Sequence, residues 1–161
     1  MDANNLGTQL NLIEKSKVKL LVAHKENRRI LKSYLADKYK ILTTPNDFEK
    51  ADIIIADESG FANHKDKIIN IKQSNTYFYL PLILIARVSP EKIPEKYMNI
   101  IDEIIQTPIQ QRILNSRIQN LLNVRKLFLS TQIFQDLTDK NPIGISILFE
   151  NNNIKYVNQA F

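Results

Sequence analysis

A doubly wound α/β fold, with a five-stranded parallel sheet covered by helices on both faces, is predicted by three observations. Short apolar runs alternate with amphipathic segments, giving β-α repeated five times over about residues 17–123. One run, Asp52-Ile53-Ile54-Ile55-Ala56-Asp57, sets three β-branched residues together, as a strand buried on both faces requires. That run ends on an acid, and ligands and chemistry collect at the carboxyl end of strands in an open α/β sheet.

The elements follow in order. Residues 1–16 are polar, with Asn4, Asn5 and Gly7, and read as a flexible leader with a short helix near Leu10 to Ile13. Residues 18–23 form the first strand. Ile30, Leu31, Tyr34 and Leu35 recur at helical spacing and predict a helix from Glu26 to about Lys38. Residues 39–42 give a second strand, and Thr43-Thr44-Pro45-Asn46-Asp47 is turn chemistry able to cap a short helix. After the strand ending at Asp57, Ser59-Gly60 reads as a loop, and Ile68, Ile69 and Ile71 mark a helix over 65–73. Residues 79–87 form a fourth strand with Pro81 near its start. Ser89-Pro90 opens a helix to about Asn99 that Pro94 delays or kinks. Residues 102–106 are a fifth strand, and Pro108 is expected in the first turn of the next helix.

That helical pattern does not stop. Neither Gly nor Pro occurs between Pro108 and Pro142, and Leu114, Ile118, Leu121, Val124 and Phe128 continue one apolar stripe, which Ile133, Phe134 and Leu137 extend in a shifted register. A helix over most of this stretch would be about 45 Å long, more than the α/β domain can cover. Residues 124–140 are therefore expected to be a helical connector. Residues 143–149 and 154–157 read as two strands about a turn at 150–153, and a two-stranded hairpin is marginal alone. The sequence is expected to be part of a longer protein, cut inside its next domain over 141–161.

Composition excludes several functions. The chain of 161 residues is 43% apolar and 24% charged, enough for a core without metals or disulfides. With no cysteine, disulfides, thiolate metal sites and cysteine nucleophiles are ruled out. His24 and His64 lack partners at ligand spacing, so no histidine metal cluster is expected. The net charge of +5 is spread along Lys25-Glu26-Asn27-Arg28-Arg29 and around Arg112, Arg117, Arg125 and Lys126. These read as solvated helix faces, not as a nucleic-acid surface. No apolar run approaches a membrane span and no signal-peptide pattern opens the chain, which points to the cytoplasm.

The register of these elements resembles the receiver domain of two-component response regulators (CheY-like). The matching runs are residues 20–29 for the first strand and helix, Asp52 to Asp57 for the third strand, Pro81 to Arg87 for the fourth, and Asp102 to Ile109 for the fifth strand and its loop. The resemblance implies a flavodoxin-like sheet of order 2-1-3-4-5 and makes Asp57 the phosphoacceptor position. It also exposes departures. Ala23 and His24 stand where receivers carry the acidic pair that holds magnesium. Ala86 replaces the Thr or Ser that ends the fourth strand, and Thr107 replaces the Lys before proline.

Phosphoryl transfer depends on cations that neutralise the moving oxygens, and magnesium wants several oxygen ligands. With Asp57 as the sole candidate ligand, the resemblance implies a degenerate, unphosphorylated pseudo-receiver without metal or other cofactor. His24 is expected near Asp57, either as a hydrogen-bonded ion pair or as an exposed loop residue, and Glu58 is expected to point away.

The last part resembles the opening of a PAS sensory domain. Phe134-Gln135-Asp136-Leu137, Asn141-Pro142-Ile143-Gly144-Ile145 and the run from Ile154 to Phe161 carry that likeness. Together the two resemblances imply a signal-transduction module of a two-component phosphorelay, from a PAS-containing sensor histidine kinase. They imply a homodimer through the C-terminal helix and a histidine kinase or phosphotransfer partner, with no catalysis in this stretch. Two other functions stay open. One is an active receiver that accepts a phosphoryl group on Asp57 with Mg2+. The other is a small-molecule enzyme on a flavodoxin-like fold, against which stand the three glycines of the chain, none of them after the first strand.

Overall fold

A computed structural model describes residues 14–44, 46–74, 79–148 and 154–161. The expected helix near Leu10 to Ile13, Pro45, and the turn at 150–153 lie outside them.

Five strands, β1 (Lys17–Leu21), β2 (Lys40–Leu42), β3 (Ile53–Asp57), β4 (Leu82–Ala86) and β5 (Glu103–Gln106), pair in parallel in the order β2-β1-β3-β4-β5. This is the flavodoxin-like α/β arrangement. The register sets Leu21 opposite Ala56, Asp57 opposite Ile85, and Ala86 opposite Gln106, so the carboxyl tips of the four central and right-hand strands form one rim.

Successive strand residues point to opposite faces, and each face has its own core. Ile53 and Ile55 lie with Val18, Ile83 and Ile105 beneath helices α1 (Lys25–Leu35) and α3 (Gln111–Asp139), which supply Leu31, Leu35, Leu114 and Ile118. Ile54 and Ala56 lie with Leu82 and Leu84 on the other face, under α2 (Glu58–Ser74) and the segment carrying Ile100 and Ile101. The three isoleucines of β3 are wholly buried, which is why a continuous apolar run, not an alternating one, is needed there.

Several elements differ from expectation. Helix α2 begins at Glu58, directly after β3, so Ser59-Gly60 is helical, not a loop. The segment after β4 is not a helix. It makes two short 3-10 turns, Pro90–Lys92 and Glu95–Tyr97, because Pro90 and Pro94 each withhold an N–H and fix the backbone before a full α-turn can close. Turns follow β2 in place of a short helix. Among the described residues, regular α-helices thus follow β1, β3 and β5 only. Pro108 precedes the last helix instead of opening it: Thr107 N–H donates to Ala86 O at 3.1 Å, prolonging the β4-β5 ladder, and Gln110 is the N-cap. The Thr107-Pro108 peptide is cis.

Helix α3 is continuous over 29 residues, about 43 Å. Its first half packs Leu114, Ile118 and Leu122 on the sheet; Val124 then turns outward, so the expected single stripe divides. Arg125 is buried at the opposite edge of the sheet from Asp57. Its Nη1 donates to Tyr79 O, and its Nε lies 3.5 Å from Asp52 Oδ1. Burial pulls the Arg125 guanidinium below its ordinary range, against Asp52. On the same edge Asp102 Oδ2 accepts from Lys72 Nζ at 2.5 Å and from Leu82 N at 2.7 Å, while Oδ1 accepts from the Tyr79 hydroxyl at 2.9 Å.

Beyond α3, strands β6 (Ser146–Leu148) and β7 (Ile154–Val157) form an antiparallel pair. Asn158 locks it to the helix end: its Oδ1 accepts from Ile145 N at 2.8 Å and its Nδ2 donates to Thr138 O at 2.8 Å and Ile143 O at 3.0 Å. The Tyr156 hydroxyl donates to Asp139 at 2.6 Å and meets the Thr138 hydroxyl at 2.6 Å.

Candidate functional site

Asp57, the last residue of β3, stands on the carboxyl rim of the sheet. Its carboxylate is held by backbone. Oδ2 accepts from Ala23 N at 2.9 Å and more distantly from His24 N at 3.5 Å, and Oδ1 accepts from Gly60 N at 2.6 Å. Hydrogen bonds to a charged acceptor are roughly twice as strong as neutral ones, so these donors fix the acid in place. The immediate start of α2 makes the third bond possible, because it folds Gly60 N–H back onto the carboxylate three residues earlier.

Gly60 is the residue that sequence reasoning missed. A Cβ there would fall 1.7 Å from Leu21 O and 2.9 Å from Asp57 Oδ1, so α2 can approach the end of β1 only without a side chain. The available signal was a glycine three residues past the acid that ends the central strand.

The other expected positions fall around Asp57 with different roles. Ala23 serves through its amide. His24 is the N-cap of α1, with its ring Nδ1 accepting from Asn27 N at 3.5 Å; only its backbone meets Asp57, so of the two alternatives the ion pair is not formed and the side chain is exposed. Glu58 lines the same cavity as Asp57, and its Oε1 accepts from Arg87 N at 3.0 Å and Val88 N at 3.4 Å, tying α2 to the loop after β4. Ala86 is fully buried and offers no hydroxyl. Thr107 places a short neutral side chain at the rim.

Ala23, His24, Asn27, Asp57, Arg87 and Thr107 line a cavity of about 380 Å³. A more apolar hollow of about 260 Å³, walled by Val22, Leu31, Tyr34 and Ile109, adjoins it and shares Asp57 and Thr107. A magnesium ion fits this donor set poorly. Asp57 brings one carboxylate already engaged by amides, and among the described residues no group of three or more His, Asp or Glu is placed to hold a metal. What the site does offer is a fixed anion at the mouth of an accessible cavity.

A parallel sheet of order 2-1-3-4-5 with an acid at the tip of its middle strand is the architecture of CheY-like receiver domains. Solved structures that share it include NtrX from Brucella abortus in complex with ADP, at 12% identity and a TM-score of 0.64, covering 80% of this chain and 31% of that one. Chemotaxis protein CheY4 from Vibrio cholerae is 20% identical with a TM-score of 0.53, covering 66% of this chain and 98% of CheY4. The signal receiver domain of a signal transduction histidine kinase from Syntrophus aciditrophicus is 20% identical with a TM-score of 0.51, covering 67% and 90%. At these identities the likeness establishes the fold. The chain spans under a third of the NtrX chain. No family model matches the sequence, and no curated protein does.

Proposed function

We propose that this chain is a signalling module of a two-component sensor, in which a receiver-like domain over 17–123 is not phosphorylated and acts through protein contacts. The observation that carries this reading is the state of Asp57. Three backbone amides hold its oxygens, the Glu58 carboxylate that shares its cavity is engaged by Arg87 N and Val88 N, and among the described residues no lysine lines that cavity to support a phosphoryl group. The retained acid is then a structural clasp that joins β1, β3 and α2.

The second half of α3 is the output element. Val124, Leu127, Thr131 and Phe134 follow a three-four-three spacing, with Val124 49%, Leu127 70% and Phe134 46% exposed. Such a seam suits pairing with the same helix of a second copy. Residues 141–161 open a PAS domain, supported by the hairpin locked beneath α3 and by exposed Ile143, Leu148, Ile154 and Phe161, an apolar surface that a larger sheet would cover. The parent is a cytoplasmic PAS-containing sensor histidine kinase, with a histidine kinase or phosphotransfer protein as partner. Among the described residues no helix is long and apolar enough to cross a membrane.

The test is intact-mass analysis after incubation with acetyl phosphate and magnesium. No adduct is expected; a phosphoryl adduct that disappears in Asp57→Asn would establish an active receiver instead.

A further inference from the structure

A second cleft lies over the carboxyl ends of β1 and β2, between α1 and α2, and adjoins the Asp57 cavity through Ala23. It measures about 290 Å³ and carries Lys19, Arg28, Lys32, Thr43, Asn63 and His64 in its walls. Three of these are cations, and no carboxylate lines it. Arg28 and Lys32 stand one turn apart on α1, where like charges repel, and among the described residues neither has an ion-pair partner.

Lys19 supplies an independent observation. It is 3% exposed in the middle of β1, a position where a lysine is rarely found without a paired charge. Its Nζ donates to the carbonyl of Thr44 and sits 5.3 Å from the Phe48 ring centre, with Lys67 Nζ 4.6 Å from the same ring. Asp47 acts on Lys19 but also lies 3.5 Å from Lys50 Nζ. Burial lowers the Lys19 pKa, which Asp47 opposes and Lys67 assists.

We propose that this cleft is an anion site that takes a small phosphomonoester, its phosphoryl group among Lys19, Arg28 and Lys32 and its organic body against Leu20 and Leu42. Three cations match a dianion better than a single carboxylate, and the Thr43 hydroxyl and Asn63 amide offer further donors to phosphoryl oxygens. The cleft has more room than one phosphate fills, and the apolar strand residues give the remainder a wall. Occupancy would tie the β1–β2 side of the sheet to α1 and α2. The cleft touches the Asp57 clasp only through Ala23 and Gly60, and its cations do not depend on whether Asp57 is phosphorylated.

The experiment titrates phenyl phosphate, inorganic phosphate and benzoate into the whole chain at constant ionic strength and follows backbone amide shifts. Saturable shifts from phenyl phosphate are expected at Leu21, Ala23, Thr43 and Asn63, with inorganic phosphate weaker and benzoate weaker still. The double variant Arg28→Gln/Lys32→Gln, whose changes lie on the outer side of α1, is expected to lose about tenfold in affinity, and Lys19→Met to lose binding. Shifts spread evenly over the basic surface, a loss below about threefold in the double variant, or benzoate binding as tightly as phenyl phosphate would each overturn the proposal.

Discussion

Replacing Gly60 by alanine tests how the site is built. The new methyl carbon would sit 1.7 Å from Leu21 O and 2.6 Å from Leu21 C, both backbone atoms at the end of β1, where Leu21 is in register with Ala56 of β3. Neither can yield without disturbing β1, so α2 must lift. Overpacking of this kind costs about 1–3 kcal/mol. Lifting α2 also breaks the 2.6 Å bond from Gly60 N to Asp57, and a hydrogen bond to a charged group contributes about 1.5–3 kcal/mol. Alanine returns about 1 kcal/mol through its better helix propensity. The expected net loss is about 1.5–5 kcal/mol, read as a lowered midpoint in urea unfolding with an unchanged slope. The neighbouring exposed Ser59→Ala is the control, expected within about 0.5 kcal/mol of the parent. A Gly60→Ala protein less than about 1 kcal/mol destabilised would refute the tight approach of α2 to β1 and, with it, the amide clasp on Asp57.

Three further outcomes follow from other parts of the molecule. Asn158→Ala should accelerate hydrogen exchange across β6 and β7 while leaving β1 to β5 protected, since that side chain bonds Thr138 O of α3, Asn141 O, and Ile143 and Ile145 before β6; unchanged hairpin exchange would contradict this. Leu127→Glu, at a position 70% exposed, should convert a dimer to a monomer in sedimentation equilibrium without altering the circular dichroism; an unchanged molar mass would remove α3 as the pairing surface. Burial, with Asp102 beside it, raises the Tyr79 hydroxyl well above its ordinary 10.0. The folded state therefore holds that proton more tightly, so its contribution is complete below about pH 10 and is lost as pH rises towards the folded value. Tyr79→Phe should thus be less stable than the parent at neutral pH, with a gap that narrows above pH 10; a gap independent of pH would contradict the Tyr79–Asp102 bond, in which Lys72 shares Asp102 and Phe128 lies against the Tyr79 ring.

The sheet was legible in the residues because its signal is local. Ile53, Ile54 and Ile55 must serve two cores at once, and only a strand between two helical layers asks for that pattern. The unbroken run from Gln111 to Asp139 was legible for the same reason: nothing in it stops a helix. What lay hidden depends on contacts between distant segments. The helical state of Ser59-Gly60 is decided by Leu21 across the sheet, and local turn propensity pointed the other way. Proline at a helix start is a sound local rule, yet Thr107 is recruited by Ala86 and delays the helix past Pro108. Within the candidate site, Ala23, His24, Ala86 and Thr107 were singled out by the resemblance to receiver domains, whereas the backbone donors that hold the acid left no side-chain trace. Arg125 looked like a solvated helix cation; its burial against Asp52 and Tyr79 needed the tertiary path of α3.

A magnesium titration in the presence of beryllofluoride, followed at the backbone amides of Ala23, Asp57, Gly60 and Thr107, bears most directly on the state of Asp57. With that carboxylate committed to the β1–α1 loop and to α2, those four signals should stay where they are. A saturable, metal-dependent shift at them, abolished in Asp57→Asn, would mean that the acid is free to take up a phosphoryl group.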